Sequence, residues 1–116
     1  MKILLASALF LLAPMAANAA CSATDFSVQD FKIAASSGRL SLKGHLVNNC
    51  AEAAAAQISI EAKDASGKVL ASKKGWPAGT ANIAPGQAVD FDLGRLFRYQ
   101  SDMQSFSAGV VSVRTW

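Results

Sequence analysis

The sequence predicts an all-β protein, an antiparallel β-sandwich of about six to seven short strands behind an N-terminal export signal. Three observations predict this fold class. Apolar and polar residues alternate with a period of two in several short runs, as they do in half-buried strands. Glycine, asparagine and aspartate separate most of these runs, as expected for turns. The 116 residues show no alternation of strands with long amphipathic helices, so a parallel α/β sheet is not predicted.

The N-terminus has the three-part layout of a secretory signal. Lys2 supplies the positive charge, residues 3–13 are apolar apart from Ser7, and Ala17-Asn18-Ala19 places small residues at the cleavage positions. An apolar helix of about 11 residues would rise only ~16 Å, which is too short for a ~30 Å hydrocarbon core. The segment is therefore predicted to be a cleaved signal rather than a membrane span.

This layout divides the chain into a signal peptide over residues 1–19 and a single domain over residues 20–116. The predicted location is the periplasm, with secretion as the alternative, and no transmembrane span is predicted in the mature chain. A lipid anchor at Cys21 is disfavoured, because Asn18 stands where a lipobox carries a leucine-like residue.

Cys21 and Cys50 are the only cysteines, and export would place them in an oxidising compartment. One pairing is possible, so the sequence predicts a Cys21–Cys50 disulfide that pins the N-terminal segment to the end of the second strand. A redox role is disfavoured because the chain has no Cys-x-x-Cys motif.

The sequence of the first half of the domain predicts three strands. Residues 26–33 have strand composition but lack two clean faces, and a turn follows at Ser36-Ser37-Gly38. Residues 40–47 alternate apolar and polar side chains. The alanine-rich residues 51–56 are too few for a stable isolated helix and are predicted to connect to the next strand. That strand shows the clearest alternation, with one face formed by Ala56, Ile58, Ile60 and Ala62.

The second half continues the pattern. Asp64-Ala65-Ser66-Gly67 predicts a hairpin turn in which Gly67 supplies a positive φ, and residues 69–76 return as the partner strand. A further strand follows at residues 89–93, and the last strand at residues 106–116. Between them, helical spacing predicts a short helical turn at Leu96, Tyr99 and Met103. These strands favour a sandwich of immunoglobulin or fibronectin III type, with a small antiparallel barrel as the alternative.

Three segments resemble FxLYD-type small sandwich domains of exported bacterial proteins. Gly44-His45-Leu46-Val47-Asn48-Asn49 is similar to their G-x-V-x-N strand ending, and residues 60–70 are similar to their strand–D-x-x-G–strand hairpin. Ile83-Ala84-Pro85-Gly86-Gln87 is similar to their L-x-P-G-[EQ] turn. Of the F-x-L-Y-D motif that gives this family its name, only the aspartate is present, as Asp64. The resemblance spans residues 40–113 and implies a sandwich and export, and it carries over no catalytic residue.

Charge and motif content narrow the function classes. The net charge of +3 falls by one without Lys2, and the longest basic cluster is Lys73-Lys74, so a nucleic-acid partner is not predicted. The single histidine, His45, lies on the polar face of its strand and is predicted to be a surface residue. A zinc site normally needs three or four ligands, and no spacing here supplies them, so no metal or other cofactor is predicted. No P-loop, G-x-G-x-x-G or G-x-S-x-G motif is present.

Two segments carry the residue types enriched at binding hot spots. Lys73, Lys74 and Trp76 place cations beside an aromatic ring where a strand ends, and Arg95, Arg98 and Tyr99 place guanidiniums among large apolar side chains. Each segment could instead cover an end of the core.

These residues give a first hypothesis of a non-enzymatic binding or adaptor module that engages an envelope or secreted protein through an edge strand or its loops. The alternative is a glycan- or cell-wall-binding module that uses Trp76 or Tyr99 for stacking, and the third hypothesis is a small hydrolase that uses His45.

Overall fold

The computed structural model describes residues 21–116 as six β-strands with two single 3-10 turns. The strands are β1 (Phe26–Ser36), β2 (Arg39–Asn48), β3 (Ala55–Lys63), β4 (Val69–Gly75), β5 (Ala88–Asp92) and β6 (Ser105–Arg114). The 3-10 turns are Ala23–Asp25 and Gly94–Leu96. The predicted all-β class is therefore confirmed. The predicted signal peptide, residues 1–19, lies outside the described residues. No helix within residues 21–116 is long and apolar enough to cross a membrane.

The strands form two separate antiparallel sheets, which confirms a small sandwich rather than one closed barrel. The first sheet has the order β1-β2-β5 and the second the order β4-β3-β6. The chain passes between the sheets after β2, after β4 and after β5, whereas β3 and β4 form a hairpin. β2 and β3 are thus the central strands, and the other four are edge strands.

The core lies between β2 and β3, because these strands place their apolar faces toward each other. Leu42 and Leu46 of β2, with Ile58 and Ile60 of β3, are completely buried. The predicted inward face of β3 is confirmed, since none of its four members is more than 1% exposed. Each such leucine or isoleucine contributes roughly 1.5–3 kcal/mol through its removal from water.

A β-bulge explains why the first strand lacked two clean faces in the sequence. The register of β1 against β2 shifts between Gln29 and Lys32, so that Asp30 and Phe31 stand opposite Gly44 alone. Asp30 adopts a φ of 55°, and the extra residue moves the inward positions from Phe26 and Val28 to Phe31.

The β3–β4 hairpin is closed by Asp64, which confirms the predicted turn. Its Oδ1 accepts hydrogen bonds from the Ser66 hydroxyl at 2.7 Å, the Ser66 N–H at 2.9 Å and the Lys68 N–H at 3.0 Å. Gly67 adopts the predicted positive φ, at 88°. The hydrogen bond from the Ser66 hydroxyl, followed by that from the Lys68 amide, lowers the pKa of Asp64 below its usual 3.8.

Cys21 and Cys50 form the predicted disulfide, with a Cα–Cα distance of 5.8 Å. The bond ties the segment before β1 to the loop after β2, and the Asn49 N–H adds a 2.8 Å hydrogen bond to the Asp25 carbonyl. Closing a loop of about 30 residues stabilises the fold by ~3.6 kcal/mol in the chain-entropy model.

Candidate functional site

Two adjoining clefts open at the side of the sandwich where β4 and the segment after β5 approach each other. The smaller, of about 470 Å³, is lined by residues that include Arg39, Leu40 and Asp92. The larger, of about 600 Å³, is lined by residues that include Ala71 and Lys73 of β4. The two share Arg95 and Phe97, and Arg98 lines the larger one. We call the pair the basic cleft, after Arg39, Lys73, Arg95 and Arg98.

The arginines are positioned by a short segment that packs against the core at alternate residues. Phe97 is buried, and its ring meets that of Phe106 edge to face at 5.8 Å between centroids. Arg95, two residues before Phe97, and Arg98, which follows it, are exposed. The helical turn predicted from Leu96, Tyr99 and Met103 is present only as a single 3-10 turn at Gly94–Leu96, and Tyr99 and Met103 lie outside it. Because Phe97 anchors the segment, both guanidiniums are held at the cleft surface.

Gly94 lets this segment lie directly on β2. A Cβ atom at Gly94 would stand 1.9 Å from the carbonyl oxygen of Leu40 and 3.0 Å from the Cα of Ser41. Only glycine allows the backbone to approach this closely. The distance between Arg39 and Arg95 across the smaller cleft therefore depends on the absence of a side chain at Gly94.

Among residues 21–116, Asp92 is the one acidic residue that lines the basic cleft, and its carboxylate is occupied by local hydrogen bonds. Its Oδ1 accepts from the Leu42 and Gly94 N–H groups at 3.0 Å each, and its Oδ2 accepts from the Ser41 hydroxyl at 3.2 Å. Burial raises the pKa of Asp92, but the Gly94, Leu42 and Ser41 hydrogen bonds outweigh it and bring the pKa below its usual 3.8.

The lowered pKa of Asp92 predicts a loss of stability in acid. A carboxylate whose pKa is lower in the folded state stabilises the fold above its unfolded pKa, and this contribution is lost as the pH falls through the folded pKa. We expect the free energy of unfolding, measured with urea, to fall as the pH drops below 3.8. The fall should be smaller in Asp92→Asn, which keeps an acceptor oxygen but cannot titrate.

Asp102→Asn, a change at an exposed turn position, is the matched control for this titration. Its unfolding curves separate the effect of removing one negative charge from the effect of removing the Asp92 hydrogen bonds. Asp92→Asn is still expected to lose some free energy of unfolding in acid, because the pKa of Asp64 is also lowered. Identical curves for Asp92→Asn and the wild type would contradict the role assigned to Asp92.

The structure brings together three of the six predicted binding residues. Lys73, Arg95 and Arg98 line the larger cleft, and the side chain of Lys73 is on the inward side of β4 because it pairs with Ile60. Lys74 pairs with Ser59 and is on the outward side of the same strand. The basic cleft thus contains cations from both predicted segments.

The two predicted aromatic residues lie outside the basic cleft. Tyr99 is half-buried and packs against the core. Trp76 is half-buried and meets the ring of Trp116 edge to face at 5.7 Å between centroids. The guanidinium of Arg114 lies over the Trp116 ring, 4.2 Å from the ring centroid. Their exposure is therefore reduced by contacts within the domain.

Arg39 is a cleft residue that the sequence did not single out. It follows the β1–β2 turn and is far from Arg95 along the chain, so no local pattern links the two. Only the packing of the Gly94 backbone against Leu40 brings them to one cleft.

His45 lies outside the basic cleft, on the outer side of the first sheet. Its Nδ1 is 2.5 Å from Oδ1 of Asp90, and its Nε2 is 3.6 Å from Oδ2 of Asp30. The side chain is 43% exposed, which agrees with a surface position. In the part of the chain that the structure describes, no group of three or more His, Cys, Asp or Glu side chains is placed to hold a metal ion.

No protein-family model, no curated protein and no solved structure matches this chain.

Proposed function

We propose that this chain is a non-enzymatic binding module of the bacterial cell envelope that engages a protein partner through the basic cleft. The observation that carries the proposal is the convergence of Arg39, Lys73, Arg95 and Arg98 on one pair of adjoining clefts. Within residues 21–116 none of these four cations forms a salt bridge. Their charges are therefore available to an acidic partner surface.

The electrostatics of the cleft support an acidic partner. Asp92 offers little to a ligand because its two oxygens already accept three hydrogen bonds. Arginines without a carboxylate partner at a concave surface attract carboxylates, and their planar guanidiniums can bind them in bidentate fashion. Such charge complementarity raises the association rate and selects against basic partners.

The Cys21–Cys50 disulfide supports the proposed location, since such bonds persist in oxidising compartments such as the periplasm. Secretion remains the alternative destination. An exported domain does not meet cellular nucleic acid, so we propose a protein as the ligand of the basic cleft.

Glycan binding is the second candidate function, and one observation favours it. Trp116 is 43% exposed and could stack on a sugar ring. Trp76 and Tyr99, which the sequence offered for stacking, are half-buried. The hydrolase hypothesis draws less support, because His45 lies outside the basic cleft and its imidazole is engaged with Asp30 and Asp90.

Capture of exported proteins tests the first proposal. Wild-type domain and the Arg95→Ala/Arg98→Ala double variant are immobilised and exposed to a periplasmic extract of the source bacterium. We expect specific proteins to be retained by the wild type and reduced about tenfold by the double variant, which loses roughly 1.4 kcal/mol of binding. Retention should also weaken with added salt.

The matched control is Lys32→Ala/Lys68→Ala, which removes two exposed cations that do not line the basic cleft. It should retain the same proteins as the wild type. Equal retention by all three proteins would contradict the assignment of the cleft. If the wild-type domain sediments with peptidoglycan and the Trp116→Ala variant does not, glycan binding would be favoured instead.

A further inference from the structure

The unpaired edge of β4 borders the basic cleft. Within residues 21–116, β4 is hydrogen-bonded to β3 on one side only, because the sheet order is β4-β3-β6. In an antiparallel edge strand, alternate residues direct their N–H and C=O groups away from the partner strand. Since Ala71 and Lys73 of this strand also line the larger cleft, a ligand there lies beside free backbone donors and acceptors.

The other edge strands suit a strand-shaped ligand less well. β1 is bent by the bulge at Asp30, and β6 has a register shift opposite Gln57 and Ile58. β5 has only 5 residues, and the exposed carboxylate of Asp90 on this strand repels an acidic ligand. β4 has its own register shift at Leu70, but it pairs in unbroken register from Ala71 to Gly75, the stretch that contains the cleft-lining Ala71 and Lys73.

Cations lie on both sides of β4. Lys73 is on the inward side, opposite Ile60, and Lys74 is on the outward side, opposite Ser59. Arg95 and Arg98 lie on the other wall of the larger cleft. An extended peptide beside β4 would alternate its side chains between the same two sides. Acidic side chains that point inward would meet Lys73 and the two arginines.

We propose that an acidic, extended segment of the protein partner adds to β4 as a further strand of the second sheet. This inference rests on the proposed function and names the partner's contacting element. The backbone of β4 supplies hydrogen bonds, and the cations select acidic side chains, as in other cases of strand addition. Pairing of β4 with β4 of a second copy of this chain is disfavoured, because it would bring Lys73 and Lys74 of both copies together.

A synthetic peptide tests this proposal. β4 has 7 residues, so the probe is a fluorescein-labelled peptide of about seven residues in which glutamate alternates with valine. We expect it to bind the wild-type domain in fluorescence anisotropy. The same peptide with N-methyl groups at alternate residues keeps its charge, but its backbone cannot donate hydrogen bonds along one of its two edges. We expect one of the two N-methylated registers to bind about tenfold more weakly.

Hydrogen exchange locates the binding edge. Peptide binding should increase the protection of backbone amides in β4 and leave those of β6 unchanged, because both are edge strands of the same sheet but only β4 borders the basic cleft. The Lys73→Glu/Lys74→Glu variant should bind the glutamate peptide at least tenfold more weakly, because two cations become anions beside the peptide. An unchanged circular dichroism spectrum shows that the variant is folded.

Several outcomes would overturn strand addition. These are no peptide binding, equal binding of both N-methylated registers and the parent peptide, protection of β6 rather than β4, or displacement of the peptide by a second copy of the domain. If the peptide fails while envelope proteins are still captured through Arg95 and Arg98, the binding function stands and strand addition does not. If neither the peptide binds nor envelope proteins are captured, the proposed function itself is contradicted.

Discussion

Gly94→Ala is expected to lower the free energy of unfolding by about 4 kcal/mol, above the usual range for overpacking. A methyl group at this position would stand 1.9 Å from the Leu40 carbonyl oxygen and 2.6 Å from its carbon. Both atoms belong to the backbone of β2, so no side-chain rotation can relieve the contact. The change is measured by urea unfolding, and the melting temperature should fall by roughly 20 °C.

Gly109→Ala is the matched control, because a Cβ atom there would have no neighbour within 4 Å. It lies in β6 and should be neutral or stabilising by up to about 1 kcal/mol. If Gly94→Ala folds, it should also weaken partner capture, since the Arg95–Arg98 segment must move away from Leu40. A cost below about 1 kcal/mol for Gly94→Ala would contradict the close approach between this segment and β2.

Asn48→Asp is expected to cost about 4 kcal/mol as well, because it places a carboxylate against two carbonyl oxygens in the interior. Asn48 is completely buried. Its Nδ2 donates to the carbonyls of Glu52 at 2.9 Å and Ile83 at 2.7 Å, and its Oδ1 accepts from the Cys50 N–H at 2.7 Å. The substitution keeps the shape and the acceptor but removes both donors.

The neighbouring change Asn49→Asp adds the same charge at an exposed position and serves as the control. It should alter the free energy of unfolding by no more than about 0.5 kcal/mol. Circular dichroism during urea unfolding measures both variants. Equal stability of the two would show that the amide of Asn48 does not hold the Glu52 and Ile83 loops together.

Much of the fold was predictable because strand periodicity and turn chemistry are local properties. The alternation at Ile58 and Ile60 predicted their burial, and Gly67 was expected at a positive φ, as found. The two cysteines left one possible pairing, which the structure contains. Residues 1–19 stay predicted as a signal peptide, and the resemblance to FxLYD-type domains stays a prediction.

The candidate site was only half predictable, because it depends on which side of a strand faces which loop. The sequence identified Lys73, Arg95 and Arg98 by residue type, but it also grouped Lys74 with them, and that side chain points to the opposite side of β4. It proposed Trp76 as a stacking surface without a signal for its contact with Trp116. These distinctions require the register of the strands and the path of the chain terminus.

By itself, the sequence determined an all-β domain of about six to seven strands, one disulfide and two basic segments, because each follows from neighbouring residues or from a choice with one solution. Only the tertiary structure decided that Arg39 joins Arg95, that Gly94 must be glycine and that Asn48 is buried. These features arise where segments distant in sequence pack together. Their backbone separations of a few ångströms are set by the stacking of two sheets and leave no periodic pattern in the chain.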